Sequence, residues 1–244
     1  MPSGAQSNVL RGKVALVTGG SRGIGLAIAA ALAEQGCRIA LASRHQSDLE
    51  HVRHRLPRKT AETLARQCDV RDPISVEELL SAIEGRFHHL DILVNNAGTA
   101  HPNLPVSKLP LEVWQEVVET NLTGMFLVTR AALPLMRSGS AVVNNLSIAA
   151  KRIFPGSSAY NASKHGALGF TNTLREELRE KGIRVIALLA GATNTAAWDA
   201  LWPEAPRKKM MAPETVAKAL VNALTLPLEA TVEELTILPR AGTL

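Results

Sequence analysis

Short apolar segments alternate with longer amphipathic segments along almost the whole of this 244-residue chain. The short segments are rich in Val, Ile, Leu and Ala, and they lie at 13–18, 38–42, 63–67, 91–95, 140–146, 183–189 and 232–237. The longer segments have the period of a helix, and they lie at 23–35, 46–55, 73–85, 111–137, 158–181 and 213–224. This strict alternation predicts an α/β fold, in which a parallel sheet carries helices on both faces.

The apolar segments are nearly continuous, which is typical of strands that are buried on both faces of a sheet. With right-handed crossovers, they predict a Rossmann-like, doubly wound sheet. Pro73 and Pro213 suit the first turns of helices, and Gly36 and Gly182 suit the positions that end them. Because no linker or repeat interrupts the pattern, we expect a single domain over 1–244, in which 1–11 form a flexible arm.

Composition excludes several classes of protein. Cys37 and Cys68 lack the spacing of metal ligands, so we interpret both as buried free thiols in a reducing compartment. The histidines form no pattern with cysteines or carboxylates, and no metal site is predicted. The chain shows neither a signal peptide nor an apolar run of the roughly 20 residues that cross a bilayer. We therefore expect a cytoplasmic protein without a membrane partner.

The formal charge of +5 raises the possibility of nucleic-acid binding. Basic residues cluster in two places. The first cluster contains Arg44, Arg53, Arg55, Arg58 and Lys59, and the second contains Arg207, Lys208 and Lys209. Aromatic residues make up only 3% of the chain, so platforms for stacking bases are missing. We expect no nucleic-acid partner, and we interpret the charge as solvated helix faces that also attract an anionic cofactor.

A glycine-rich turn joins the first strand to the first helix and reads TGGSRGIG over 18–25. Glycines at such a turn allow the backbone to approach a pyrophosphate, and the helix N-terminus offers free N–H groups to the anion. The alternative is an ordinary flexible turn. The position at the first strand favours a dinucleotide site. Its candidate residues are Gly19, Ser21, Arg22, Gly23, Ile24 and Gly25.

The end of the second strand usually distinguishes NAD from NADP, because an acid there binds the free ribose hydroxyl. This strand ends in Ser43 and Arg44 and has no acid. Arg44 can bind a phosphate with two hydrogen bonds, Ser43 can donate one, and Arg22 lies toward the same region. NADP(H) is therefore the predicted cofactor. The alternative is that Arg44 is a surface residue that begins the next helix.

Two further strand ends carry candidate cofactor residues. Asp69 and Val70 follow the third strand, although Asp69 could equally cap a helix or serve as a turn residue. The string NNAG follows the fourth strand, and its small residues suit a cofactor crevice at the carboxyl ends of the strands. We take Asn95, Ala97 and Gly98 as its candidates.

Tyr160 is the only tyrosine in the chain, and Lys164 follows it by four residues at the start of a predicted helix. The two side chains share one helix face, and a nearby ammonium is expected to lower the phenol pKa toward neutrality. Tyr160 can then act as general acid or base on a carbonyl oxygen. Ser147, at a strand end, can polarise that oxygen. Asn121 lies within the predicted helix 111–137. Its amide can bend this helix and hold a water molecule that links Lys164 to the outside of the site.

The strings TGGSRGIG, NNAG, ETNLTG, LSIAA and YNASK occur in one order, and together they resemble the short-chain dehydrogenase/reductase family over about residues 12 to 237. The resemblance implies a seven-stranded sheet of order 3-2-1-4-5-6-7. It also implies a catalytic tetrad, formed by Asn121, Ser147, Tyr160 and Lys164. Lys164 would additionally hold the nicotinamide ribose, and Asp69 would hold the adenine amino group.

The resemblance further implies a homodimer or homotetramer packed through the helices at 111–137 and 158–181. It makes 190–212 a mobile substrate lid. In this stretch the family usually has a proline where this chain has Ala190. Gly191, Thr193 and Thr195 remain candidates for cofactor contacts. The chain also lacks the glycine-rich ending of 3-oxoacyl-carrier-protein reductases, so that activity is not assigned.

Apolar side chains near the lid suggest that the substrate has an apolar part. The candidate substrate residues are Ile148, Phe154, Trp198 and Trp202. The alternative for the two tryptophans is packing of a helical hairpin on the core. We therefore predict an NADP(H)-dependent oxidoreductase acting on a small carbonyl compound or secondary alcohol. The alternatives are an NAD-dependent alcohol dehydrogenase and a dinucleotide-binding regulator without turnover.

Overall fold

A computed structural model of the chain describes residues 9–52, 56–57 and 62–243. Most of the predicted flexible arm lies outside this part of the chain. Leu10, however, is only 2% exposed, and its carbonyl accepts a hydrogen bond from the backbone of Lys13. The end of the predicted arm therefore belongs to the packed body. The basic residues Arg53, Arg55, Arg58 and Lys59 also lie outside the described residues.

The described residues form one parallel sheet whose order is β3-β2-β1-β4-β5-β6-β7. Its strands are β1 Val14–Thr18, β2 Arg38–Ser43, β3 Thr63–Gln67, β4 Ile92–Asn95, β5 Ala141–Asn145, β6 Arg184–Ala190 and β7 Glu234–Ile237. This order confirms the predicted Rossmann-like fold. The order reverses between β1 and β4, and such a switch point opens a crevice at the carboxyl ends of the strands.

The helices are α1 Gly23–Glu34, α2 Gln46–Val52, α3 Pro73–Phe87, α4 Leu111–Val118, α5 Gly124–Ala132, α6 Ser158–Arg179, α7 Ala197–Leu201 and α8 Pro213–Leu224. Pro73 and Pro213 occupy first-turn positions, as predicted. Gly36 and Gly182 follow the ends of helices and have φ angles of 83° and 67°. Residues with a side chain rarely adopt such positive φ angles. None of the helices in the described part of the chain combines the length and hydrophobicity that a bilayer span requires.

Hydrophobic cores lie on both faces of the sheet. Along β1, Ala15 and Val17 pack with α1 and α8, whereas Val14 and Leu16 pack with α3, α5 and α6. All four side chains are fully buried. Successive residues of a strand point to opposite faces, so burial on both sides requires an apolar residue at every position. This explains the nearly continuous apolar runs of the central strands β1, β2 and β4, whereas the edge strands β3 and β7 are partly exposed.

In two segments the structure differs in detail from the prediction. The predicted helix 111–137 is interrupted by a π-helical turn over Glu119–Thr123, which separates α4 from α5. The irregular stretch 190–212 contains α7 and a short 3₁₀ turn over Arg207–Lys209. A parallel bridge between Thr193 and Met211 closes the base of this stretch. We refer to 190–212 as the lid segment.

Candidate active site

A cavity of about 510 Å³ lies at the carboxyl ends of the strands, within the size range of small-molecule sites. Most of the predicted site residues line it. They are Gly19, Ser21, Arg22, Gly23, Ile24, Gly25, Ser43, Arg44, Val70, Ala97, Gly98, Ser147, Ile148, Phe154, Tyr160, Lys164, Gly191, Thr193, Thr195, Trp198 and Trp202. The fold therefore brings together segments that are far apart in the sequence.

The glycine turn packs too closely for side chains at two of its positions. A Cβ on Gly25 would lie 2.3 Å from Nδ2 of Asn96 and 2.4 Å from the carbonyl oxygen of Gly19. A Cβ on Gly19 would lie 2.9 Å from the Cα of Ala97, and Gly19 also has a φ of +60°. The turn is therefore held against the NNAG segment, and its backbone forms the floor of the cavity.

A chain of hydrogen bonds connects Lys164 to this turn. Nζ of Lys164 donates to the carbonyl of Asn145 at 3.2 Å, and Nδ2 of Asn145 donates to Oδ1 of Asn96 at 2.8 Å. Nδ2 of Asn96 donates to the carbonyls of Thr18 and Gly19 at 2.9 and 3.0 Å. Asn96 and Asn145 were not among the predicted site residues, although both stand at strand ends.

Asn95, which the sequence placed in the cofactor site, lies elsewhere. Its side chain is buried and donates to Oγ1 of Thr129 and to Oδ1 of Asn144, both at 2.9 Å. It does not line the cavity, whereas Asn96 does. Neighbouring residues at a strand end point to opposite faces of the sheet, so only one of the two asparagines can face the crevice. The expected contact by the Asn95 side chain is therefore corrected to Asn96.

The region expected to hold the adenosine carries both basic and acidic groups. Oγ of Ser21 donates to Oγ of Ser43 at 3.1 Å, which ties the glycine turn to the end of β2. Nη1 of Arg44 lies 3.5 Å from Oε1 of Glu116 on α4. Asp48, in the first turn of α2, also lines the cavity. The strand end itself has no acid, as predicted, but a tertiary contact brings Glu116 to Arg44, and Asp48 lies four residues beyond Arg44 in the sequence.

Asp69 does not line the cavity, although its neighbour Val70 does. The Asp69 carboxylate accepts hydrogen bonds from the guanidinium of Arg71, the shortest at 2.6 Å. These bonds hold the pKa of Asp69 below its usual range. The carboxylate thus already has a charged partner. Asp72, not Asp69, caps α3, but Asp69 is a turn residue: its carboxylate accepts from the backbone N–H of Arg71 at 3.0 Å, and its carbonyl accepts from the N–H of Asp72.

Tyr160, Lys164 and Ser147 come together in the cavity. Lys164 is 4% exposed, and its Nζ lies 5.6 Å from the centre of the Tyr160 ring. Burial lowers the pKa of Lys164 to about 8, because a desolvated ammonium loses its charge more readily. The hydroxyl of Ser147 hydrogen-bonds to Tyr160 and accepts from the backbone N–H of Ala149 at 3.1 Å.

The pKa of Tyr160 differs from the expectation that Lys164 would lower it. Burial raises this pKa above its ordinary value, because desolvation disfavours the phenolate, and the hydrogen bond from Ser147 offsets only part of the rise. Tyr160 is thus a protonated phenol at neutral pH in the free protein. A protonated phenol is the form that can donate a proton to a substrate oxygen.

Asn121 lies in the π-helical turn and is fully buried. Its amide accepts from the N–H of Thr99 at 2.8 Å and donates to the Thr99 carbonyl at 2.9 Å and to Oγ of Ser163 at 3.0 Å. Asn121 does not line the cavity directly. A Cβ added to Gly98 would lie 3.2 Å from Oδ1 of Asn121 and 3.8 Å from Nζ of Lys164, so both residues converge on Gly98. Such π-turns often occur at functional sites.

The lid segment is fastened by its own polar contacts. Nε1 of Trp198 donates to the Thr193 carbonyl at 2.8 Å, and Trp198 packs edge-on against Trp202 with ring centres 6.3 Å apart. Nη1 of Arg207 donates to the Thr195 carbonyl at 2.7 Å, and Nη2 pairs with Asp199. These contacts stiffen the stretch that begins at Ala190. In the sequence, Arg207 stands out only as part of a basic cluster.

The remaining reactive groups are buried or unclustered. Cys37 and Cys68 are free and buried, as predicted, and burial raises their pKa values to about 12 and about 11. Such thiols are inert, although Cys68 does border the cavity. Within the described ranges, His, Cys, Asp and Glu form no group of three or more that could hold a metal ion.

Comparisons with known proteins agree with this geometry. Residues 13–206 match the family model described as short chain dehydrogenase. A Streptomyces coelicolor protein provisionally named a ketoacyl reductase is 40% identical over 187 residues, which cover 75% of this chain and 71% of that protein.

Solved structures show the same similarity. An alcohol dehydrogenase from Thermococcus sibiricus, complexed with 5-hydroxy-NADP, superposes with a TM-score of 0.87 at 32% identity and covers 93% of this chain and 97% of its own. A 3-ketoacyl-(acyl-carrier-protein) reductase from Brucella melitensis, complexed with NADH, has a TM-score of 0.84 at 27% identity with the same two coverages.

Proposed function

The chain belongs to the short-chain dehydrogenase family, and on that premise we propose that it is an NADP(H)-dependent oxidoreductase that interconverts a carbonyl compound and a secondary alcohol. The observation that carries the proposal is the convergence of Tyr160, Lys164 and Ser147 on one wall of a cavity whose floor is the glycine turn. A protein that only binds a dinucleotide has no need of a buried acid and base.

The residues fit a nicotinamide dinucleotide. At Gly19 and Gly25 the turn leaves no space for side chains, so a pyrophosphate can approach its backbone closely. The N-terminus of α1 lies at the same place and favours an anion. Lys164 would hold the nicotinamide ribose, and Thr193 and Thr195 would contact the nicotinamide end. When bound, this cofactor supplies or accepts the hydride.

The chain's own residues move the proton. In the reductive direction, the Tyr160 hydroxyl donates its proton to the substrate oxygen while the carbonyl carbon gains the hydride. When substrate binds, Ser147 turns its single hydroxyl hydrogen from Tyr160 to the same oxygen and so stabilises its developing charge. The Lys164 ammonium stabilises the phenolate that Tyr160 leaves behind. Asn121 hydrogen-bonds to the backbone of Thr99 and so fixes the position of this loop beside Lys164.

Arg44 and Ser43 support NADP(H) rather than NAD(H). Ser43 is already oriented by Ser21, and the Arg44 guanidinium can bind a 2′-phosphate. Arg22 borders the same cavity and adds positive charge. Asp69 is a weaker candidate for adenine recognition, because Arg71 occupies its carboxylate.

The NAD-dependent alternative rests on one specific observation. Glu116 pairs with Arg44, and Asp48 borders the cavity, so acids stand near the position of a 2′-phosphate. A phosphate would have to compete with Glu116 for Arg44. We favour NADP(H) because the Arg44–Glu116 pair is exposed, and exposed pairs contribute at most about 1 kcal/mol.

The proposed substrate is small and partly apolar. Ile148, Phe154, Trp198 and Trp202 line the cavity beside the catalytic residues and would contact an apolar portion. We extend the proposal to a single, cytoplasmic catalytic domain that forms homodimers or homotetramers. Exposed apolar residues on α4 and α5, Trp114 and Phe126, support such an assembly.

A direct test measures oxidation of NADPH and of NADH by the purified protein against a panel of ketones and aldehydes. The proposal expects turnover with several ketones and a lower KM for NADPH than for NADH. Absence of turnover with every carbonyl compound, together with tight NADPH binding, would instead support the regulatory alternative.

A further inference from the structure

His101 is a buried titratable residue in the cavity wall to which the proposed chemistry gives no role. It follows the NNAG segment by three residues, and its side chain is 6% exposed. It lines the same cavity as Tyr160 and Ser147. Its Nε2 atom is buried and has no hydrogen-bond partner among the described residues. Buried polar atoms are nearly always satisfied, so an exception at a ligand cavity points to the ligand.

The contact on the other ring nitrogen determines what Nε2 can do. Nδ1 of His101 lies 2.7 Å from the carbonyl oxygen of Pro102. A carbonyl oxygen can only accept, so Nδ1 carries the hydrogen. In the neutral ring, Nε2 is then an acceptor with a free lone pair. It can receive a hydrogen bond from a hydroxyl or N–H group, but it cannot donate one.

The loop that carries His101 is fixed on both sides. Upstream, Asn121 binds both the N–H and the carbonyl of Thr99. Downstream, the N–H of Leu104 donates to the carbonyl of Gly156 at 2.8 Å, and Oγ of Ser157 donates to Asn103 at 2.9 Å. Hydrogen bonds therefore hold the loop on both sides of His101, and the downstream ones join it to the residues just before α6, the helix that carries Tyr160.

We propose that His101 is a specificity-determining residue whose Nε2 accepts a hydrogen bond from a donor on the substrate, apart from the carbonyl that Tyr160 protonates. This inference rests on the proposed function and narrows its substrate class. In the reductive direction, the substrate is a ketone that also bears a hydroxyl or N–H group. In the oxidative direction, it is the corresponding diol or amino alcohol. The apolar residues of the lid segment contact the rest of the molecule.

Two variants separate recognition from structure. His101→Asn keeps a donor near Nδ1 for the Pro102 carbonyl but removes the acceptor at Nε2. His101→Gln can place its amide oxygen near the position of Nε2. Both are compared with the wild type on ketone pairs in which a methyl group replaces the hydroxyl. The pairs are hydroxyacetone with butanone, and para-hydroxyacetophenone with para-methylacetophenone.

The measured quantity is the ratio of kcat/KM for the hydroxylated ketone to that for its methyl partner. The wild type should prefer the hydroxylated member of at least one pair. His101→Asn should lower this ratio by about tenfold, as loss of one hydrogen bond predicts, while His101→Gln retains most of it. Equal losses on both members of a pair, or a wild-type preference for the methyl member in both pairs, would overturn the inference.

Binding provides a readout that does not depend on turnover. The same ketones are titrated against the NADP⁺-loaded wild type and variants, with the rise in Tm as the measure. A larger Tm rise with the hydroxylated ketone that disappears only in His101→Asn supports the inference, even if no ketone is reduced. Failure to reduce any ketone would contradict the proposed function but not this inference. Identical shifts in the wild type and in His101→Asn would overturn the inference.

Discussion

Nζ of Lys164 lies 5.6 Å from the centre of the Tyr160 ring, one helical turn along α6. Both residues lie in the wall of one cavity, where burial shifts each pKa toward the neutral form of the group. Burial raises the pKa of Tyr160 and lowers the pKa of Lys164 to about 8. The free protein therefore presents a proton donor beside an ammonium that is easily discharged.

The first prediction concerns the pH dependence that Lys164 imposes. Below about pH 8 the Lys164 ammonium is charged, and above it the charge is lost, because burial holds its pKa at about 8. If the ammonium binds the cofactor and stabilises the phenolate, kcat/KM for NADPH should fall as the pH rises above about 8. We use kcat/KM because its pH dependence reports the pKa values of groups in the free enzyme. Steady-state kinetics across this range measure the effect.

Lys164→Arg provides the matched control, because a guanidinium stays charged throughout the accessible range. NADPH affinity in this variant, followed by fluorescence, should not weaken above pH 8. The same alkaline loss of affinity in Lys164→Arg and in the wild type would assign the titration to another group.

The second prediction concerns Ser147. Removal of its hydroxyl in Ser147→Ala takes away the partner of Tyr160 and the donor to the substrate oxygen. Loss of one such donor typically lowers kcat by about 100-fold or more. Ser147→Thr keeps a hydroxyl and should retain far more activity. Comparable kcat values for Ser147→Ala and the wild type would exclude Ser147 from the chemistry.

The third prediction concerns the choice of cofactor. Arg44→Ala should raise the KM for NADPH by about tenfold or more, because it removes a charge-assisted hydrogen bond to the phosphate. The KM for NADH should change little. An unchanged ratio of the two KM values would contradict the assignment of Arg44.

Glu116→Gln tests the same site in the opposite direction. Glu116 competes with a phosphate for Arg44, so neutralising it should lower the KM for NADPH and leave that for NADH unchanged. Because Glu116 is exposed on α4, the substitution leaves the core intact. Weaker binding of NADPH to Glu116→Gln would show that the pair positions Arg44 instead of competing for it.

The fourth prediction concerns the lid segment. Arg207 binds the Thr195 carbonyl, Asn194 and Asp199, and so fastens a stretch that begins with Ala190 where the family usually has proline. Arg207→Met should make 190–212 more sensitive to limited proteolysis and raise KM more than it lowers kcat. Lys209→Met, a neighbouring change of the same kind, is the control. Equal protease sensitivity in the two variants would argue against this role.

Much of the fold could be predicted because its signals are local. Burial on both faces of the sheet forces continuous apolar strands, and the glycine turn follows from the close approach of backbone at Gly25. Tyr160 and Lys164 were identifiable from their spacing on one helix. These features depend on neighbours in sequence, so periodicity and motif spacing indicate them directly.

Other features depend on contacts between distant segments. The choice between Asn95 and Asn96 depends on where β4 ends, and a single position reverses the face. Glu116 meets Arg44 only when the fold brings α4 near the end of β2, and the raised pKa of Tyr160 arises from burial by the folded chain. The sequence predicts one helix over 111–137 that Asn121 can bend, but its helical period does not show that the bend is a π-helical turn.

The most direct measurement is of Tyr160→Phe, with turnover and cofactor binding determined on the same preparation. The variant removes one hydroxyl and retains the ring beside Lys164. We expect NADPH to bind with nearly unchanged affinity and kcat for ketone reduction to fall by at least about 100-fold, the usual contribution of a general acid. Equal turnover by the variant and the wild type would contradict the assignment of Tyr160 as the proton donor.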